Sequence, residues 1–315
     1  MSSTSATQDL ADLAPISGMQ VIVREETPFL PKVAFTLITL ASLAGATVTG
    51  TLAGLTPFEV LARWVSLWAV GLAGGFAVWR VFYLRDADPD AEQQAVDALN
   101  DTALSRATLV GRVLAPLVLL GAVGPLFTPY LAPQPLLQWG LVAALVALAA
   151  SLLAGISHRV AGHAVWVLSL ATVVAWSYAD AGTGWEGWVR LAHLTAFTVW
   201  LGGAVWNIWV AMPAGRQHPN VDAVVAGAHQ LDRFRWVVRF ALPTIIVTGL
   251  VMAGVYRALP LEWWLQFPGV LIPGKVMAIV ALVVVFITCP LFRHCSPVQG
   301  VCDLDDLQPE SHADH

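Results

Sequence analysis

The chain has 315 residues, of which 57% are hydrophobic and only 12% charged, and this balance excludes a soluble globular enzyme and points to an all-α, polytopic membrane protein. The formal net charge of −5 comes mostly from acidic stretches such as DADPDAEQ (86–93) and CDLDD (302–306), which read as solvated loop and tail and give no footing for nucleic acid.

Residues 1–30 hold Asp, Glu and Arg but no apolar core followed by a small-residue cleavage site, so they read as a cytoplasmic N-terminal tail and not as a signal peptide. Apolar runs long enough to cross a hydrocarbon core of about 30 Å follow near 33–54, 60–83, 108–129, 135–156, 160–179, 188–211, 236–257 and 268–292, which makes eight spans. Basic residues in short loops are retained on the cytoplasmic side. With the N-terminus inside, twelve of the sixteen Lys and Arg fall in inner segments and their flanks. Only Arg63, Arg190 and Arg257 fall outside, and Lys275 lies within the last span. The expected topology is therefore N-in and C-in, in a bacterial cytoplasmic membrane, with a cytoplasmic C-terminal tail over 295–315. The three cysteines, Cys289, Cys295 and Cys302, lie at or beyond the inner end of the last span, where a structural disulfide is not expected. The stretch HCSPVQGVC (294–302) matches no standard zinc spacing and reads as juxtamembrane tail.

The segment SRATLVGRVLAP (105–116) returns as DRFRWVVRFALP (232–243), so that Arg106, Arg112 and Pro116 match Arg233, Arg239 and Pro243 at one offset. Gly74-Gly75 with Ala77-Val78-Trp79 resembles Gly202-Gly203 with Ala204-Val205-Trp206, and WGLVAALVAL (139–148) resembles PGKVMAIVAL (273–282). The pattern predicts two parallel four-helix halves, 31–156 and 157–294, related by an axis along the membrane normal. Paired small residues let membrane helices approach closely, so the glycines are expected to be contact points, and Arg112 and Arg239 to reach the inner headgroups.

Features confined to one half are of another kind. The first half has an apolar stretch around Val65 where the second has His193, Leu141 where it has Lys275, and Ala143 where it has Met277. An ionisable residue inside a span costs roughly 2.5–3.5 kcal/mol on insertion scales. At a rise of about 1.5 Å per residue, His193, Met252, Lys275 and Met277 fall at similar depths in the outer half. Imidazole and thioether suit cuprous copper, a soft ion. The expected site is therefore a Cu+ site of His193, Met252 and Met277, with Lys275 controlling charge nearby; a plain histidine bonded to a backbone carbonyl is the simpler alternative. Nothing pairs a nucleophile with a base and no phosphate-binding glycine loop occurs, so neither an enzyme nor ATP coupling is expected.

His193 with VWLGG (199–203), DRFRWVVRFALPTIIVTG (232–249) and the PGK of 273–275 resemble the CopD copper-resistance family over roughly 187–292. The resemblance implies an eight-helix inner-membrane protein that handles copper together with a periplasmic copper-binding partner. The sequence departs from that pattern in having only five Met and no Met/His-rich outer loop.

That departure leaves a second class, an electron-transfer subunit of a respiratory complex holding b-type haem, with a redox partner. His163 would then face His229 or His294 near the inner side. A third class is a metal-free structural anchor subunit. HQLDRFR (229–235) reads as an interfacial segment ahead of the seventh span, and GWEGW (184–188) and LEWWLQF (261–267) read as outer aromatic anchors.

Overall fold

The computed structural model describes residues 29–288. Most of the expected tails, with Cys289, His294, Cys295 and Cys302, lie outside the described residues. The regular elements of the described chain are helical: α1 (Phe29–Leu52), α2 (Pro57–Val78), α3 (Gln93–Gly121), α4 (Pro135–Ala154), α5 (Arg159–Ala181), α6 (Trp185–Trp206), the short α7 (Met212–Gln217), α8 (Val221–Ala253), the single-turn α9 (Leu261–Leu265) and α10 (Leu271–Thr288). Seven helical stretches are long and apolar enough to cross a membrane, and a shorter apolar helix covers Leu271–Val284. The chain is a multi-pass membrane protein.

Local chemistry sets several of the boundaries. Thr56 and Glu59 close a capping box at the start of α2, with Pro57 in its first turn. Gly155 (φ 102°) and Gly182 (φ 70°) end α4 and α5 in backbone conformations that a side chain would strain.

Two helices start far earlier than hydropathy alone predicts. α3 begins at Gln93 rather than near 108, and α8 at Val221 rather than near 236, so HQLDRFR is continuous helix and not a separate interfacial segment. These polar turns carry their own buried stripes, Val96, Leu99, Ala103 and Ala107 in α3 and Val224, Leu231, Phe234 and Val238 in α8. The spacing of three and four residues keeps each stripe on one helical face. Pro116 and Pro243 lie within these helices on their exposed sides, as do Arg112 and Arg239.

The centre of the bundle is the crossing of α2 and α6. α2 also packs on α1, α3 and α5, α6 packs on α5 and α8, α4 lies across α3 and α5, and α10 lies against α1. At the crossing a Cβ on Gly202 would lie 2.2 Å from the Phe76 nitrogen, and a Cβ on Gly75 would lie 2.0 Å from the Thr198 oxygen. Four residues further along each helix, the Trp79 and Trp206 rings stack with centroids 6.2 Å apart. Contacts that advance together along both helices mean that α2 and α6 run in the same direction. Each then passes into one π-helical turn, Trp79–Tyr83 and Asn207–Ala211.

This contact yields a measurable asymmetry between glycines. Gly202→Ala forces two backbones apart and is expected to destabilise the protein by about 1–3 kcal/mol, the usual range for overpacking. Gly140→Ala, with nothing within 4 Å of the added methyl, is expected to change little. Unfolding in mild detergent compares the two, and equal effects would remove the close crossing as a determinant of stability.

Candidate functional site

One end of the bundle is organised by Asp180, near the end of α5. Its Oδ2 accepts from Arg63 Nη2 at 2.5 Å and from Arg190 at 2.7 Å (Nη2) and 3.0 Å (Nε), and its Oδ1 accepts from the Tyr130 hydroxyl at 2.7 Å. The Arg63 and Asp180 side chains are each 8% exposed and that of Arg190 is 17% exposed. Trp176, one turn earlier on α5, lies with its ring 6.0 Å from the Arg63 guanidinium. Burial pushes the Tyr130 phenol above its ordinary range, so it stays protonated and donates. Buried Arg63 Nε, Ser66 Oγ and Trp176 Nε1 have no partner.

Sequence reasoning counts Arg63 and Arg190 only as outer basic residues and passes over Asp180 and Tyr130. A signal was present: 190 − 63 = 127, the same spacing as 233 − 106 = 127. Nothing in the sequence announces that both guanidiniums meet on one oxygen.

His193 follows Arg190 by three residues on α6. Its Nδ1 lies 2.9 Å from Thr248 Oγ1 on α8, and the Thr248 hydroxyl makes a short bond to the Thr244 carbonyl. A hydroxyl has one proton. With that proton given to Thr244, Thr248 accepts from His193 Nδ1–H, and the ring also has a hydrogen bond with the Ile245 backbone carbonyl, as the simpler reading of this histidine expects. A Cβ on Gly249 would lie 3.6 Å from His193 Cε1, so the ring lies against α8 where no side chain intervenes. Arg190 and Lys275 both act electrostatically on His193. Lys275 is partly buried, and its ammonium presses against α1 where Gly45 leaves room: a Cβ there would lie 2.6 Å from Nζ.

Met252 is partly buried and stands one turn beyond Thr248 on α8. Met277 is 72% exposed and does not join this interior layer. Two residues correspond to roughly 200° around a helix, so the register that turns Lys275 toward α1 turns Met277 away. Met277 is thereby set apart from His193, and Thr248 is a partner of the imidazole that hydropathy could not reveal.

The opposite end carries a separate polar network. Trp79 Nε1 donates to Gln230 Oε1 (3.1 Å), Gln230 Nε2 to Asn100 Oδ1 (3.1 Å), and Asn100 Nδ2 to the Arg85 carbonyl (2.7 Å). His229 Nδ1 lies 2.8 Å from Asp88 Oδ2 and its Nε2 lies 3.9 Å from Asp90. One ligand atom from each of Asp88, Asp90 and His229 falls within 4.8 Å of the others, a grouping that could hold a cation. Asp88 is only 8% exposed, against the expectation of a solvated acidic loop, because the loop before α3 folds over the N-terminal extension of α8. There the Glu92 N–H donates to Asp222 (3.1 Å) and Arg233 donates to the Tyr83 carbonyl (2.7 Å).

The haem alternative needs His163 and His229 on one iron. His163 is exposed, with Nδ1 2.7 Å from the Arg159 carbonyl of its own helix, while His229 is held by Asp88. Each ring has a different partner, and His294 lies outside the described residues. No family model, curated protein or solved structure matches the chain.

The shared carboxylate leads to a signed prediction. Removing one partner of a buried ion pair typically costs about 3–5 kcal/mol because it strands a charge. Asp180→Asn strands two guanidiniums, whereas Arg190→Gln leaves Arg63 and Asp180 as a matched pair. Asp180→Asn is therefore expected to be the more destabilising in detergent unfolding, and the reverse order would contradict the charge count.

Proposed function

We propose that the chain is a bacterial inner-membrane protein of eight spans, arranged as two parallel four-helix halves with both termini cytoplasmic, and that it passes cuprous copper through its outer layer. The duplication is supported by three pairs separated by 127 residues that meet across α2 and α6. Arg63 and Arg190 share Asp180, Gly75 faces Gly202, and Trp79 stacks on Trp206. An even number of spans returns the C-terminus to the side of the N-terminus, and the distribution of Lys and Arg assigns that side to the cytoplasm.

The copper reading rests on one observation, the orientation of His193. Metal-ligating histidines commonly donate their second ring N–H to a fixed acceptor, which sets the tautomer and aims the other nitrogen. Thr248, committed to the Thr244 carbonyl, is such an acceptor, and Met252 lies one turn away on the same helix to offer a thioether. The resemblance to the CopD family in 187–292 supports the same reading, with a periplasmic copper-binding protein as the partner. Lys275 and Arg190 repel a cation held beside them, so affinity is moderated. A transfer site must release what it binds, and that moderation favours transit over storage.

Cu+ affinity of the detergent-purified chain, measured by competition with a chromophoric chelator, tests the site. His193→Ala is expected to abolish binding, Thr248→Val to weaken it about 10–100-fold as second-sphere changes do, Met252→Leu to weaken it, and Met277→Leu to leave it unchanged. Wild-type protein that binds no stoichiometric Cu+, or a His193→Ala variant that binds like wild type, defeats the copper reading. A reduced-minus-oxidised b-haem band that His163→Ala bleaches would install the haem alternative instead. Orientation has its own check: with Cys302 as the sole cysteine, an impermeant maleimide should label it only after cells are opened, and labelling from outside inverts the topology.

A further inference from the structure

Asp88 is a carboxylate held inside the protein, with a side chain only 4% exposed. Buried charges in proteins are paired or coordinate a metal. The groups that meet Asp88 are the His229 ring, whose Nδ1 lies 2.8 Å from Oδ2, and the Asp90 N–H, which donates to Oδ1 at 3.1 Å. Both belong to one cluster, because His229 Nε2 in turn stands 3.9 Å from Asp90 Oδ2. A neutral imidazole has one N–H. Its two nitrogens here face two carboxylates, so one of them sets a lone pair against a negative oxygen, and a cation is the group that reconciles them.

The cluster has the attributes of a metal site: ligand identity, spacing, a supporting frame and an entry path. One ligand atom from each of Asp88, Asp90 and His229 lies within 4.8 Å of the others. Around an ion with bonds of about 2.1 Å, neighbouring ligands are about 3 Å apart and opposite ones about 4.2 Å. A small inward movement of Asp90, whose side chain is 68% exposed, therefore closes the cluster on an ion. The same exposure gives the ion its way in and leaves room for water to complete the coordination. The frame is pinned along the loop: the Arg85 carbonyl accepts from Asn100 Nδ2 (2.7 Å), the Asp86 carbonyl from Gln93 Nε2 (2.8 Å), and the Glu92 N–H donates to Asp222 (3.1 Å). His229 comes from α8, 141 residues along the chain from Asp88, so an ion here fastens the loop between α2 and α3 to α8.

We propose that Asp88, Asp90 and His229 bind a divalent transition-metal ion at the end of the bundle opposite Asp180. Two carboxylates match its charge, and the imidazole selects against Mg2+ and Ca2+, which take oxygen ligands. The carboxylates select against a soft monovalent ion, so this site is separate from the one proposed around His193 and does not rest on copper.

The test uses tag-free, full-length protein in detergent carrying Cys289→Ser, Cys295→Ser and Cys302→Ser, so that no thiolate competes for the metal. Zn2+ is titrated in competition with a fluorescent chelator, and the unfolding temperature is followed with and without Zn2+. The expected result is stoichiometric binding, an upward shift in unfolding temperature, and no displacement by a large excess of Mg2+. Asp88→Asn and His229→Gln should each weaken binding at least about tenfold, since changes even beyond the direct ligands typically cost that much. Asp90→Asn, at an exposed position where folding is not at stake, should do the same, which separates lost binding from misfolding. Asp86→Asn, in the same loop but ion-paired with Arg159, should leave binding unchanged. His193→Ala should also leave it unchanged, so that failure of the copper site and failure of this one are told apart. Absence of stoichiometric Zn2+ binding overturns the proposal and leaves a protonated His229 to hold both carboxylates. Equal weakening in Asp86→Asn, or displacement by Mg2+, overturns it as well, because either marks diffuse attraction to an acidic loop.

Discussion

The approach of α2 to α6 at Gly75 and Gly202 is the constraint on which the rest of the bundle depends. In a bilayer, lipid tails satisfy apolar side chains as well as another helix does, so association relies on close packing and on polar contacts. Two glycines allow the backbones to come so near that a single added methyl would lie about 2 Å from main-chain atoms of the partner. That proximity fixes both the depth and the rotation of the two helices. Gly203 against the Phe234 ring extends the same logic to α8, where an added Cβ would lie 2.1 Å from the ring edge.

Once α2 and α6 are locked in this register, their side chains at the two ends are no longer free to choose partners. Toward one end Arg63 and Arg190 converge, and α5, packed on both helices, delivers Asp180 to the point where they meet. Toward the other, Trp79 and Trp206 stack, and Trp79 hands a hydrogen bond to Gln230 and on to Asn100. The two ends differ in their groups. At the Asp88 end a carboxylate meets the His229 ring, and at the Asp180 end two guanidiniums share one carboxylate.

His193 takes its character from this setting. It is the histidine of the crossing helix, bonded to the Thr248 hydroxyl and to the Ile245 backbone carbonyl, both on α8.

Hydropathy is additive along the chain, and it determined the membrane class, the helical architecture of the described residues and the approximate position of the seven long apolar helices. The 127-residue spacing between matched Arg and Pro pairs was also legible, as was the role of the glycine pairs in close contact, because both follow from local residue type. The start of α3 and α8 was not, since their polar first turns are stabilised by packing stripes whose partners lie on other elements. Which side chains meet was decided only in three dimensions. Whether Met277 joins His193 turns on the rotation of α10, which Lys275 and Gly45 set. Whether Asp88 is solvated turns on a loop closing over α8, and whether Arg63 and Arg190 are separate surface charges or one shared ion cluster turns on a carboxylate brought in by a third helix. Azimuth and depth relative to other helices are collective properties of the packed bundle, and no segment of the sequence contains them alone.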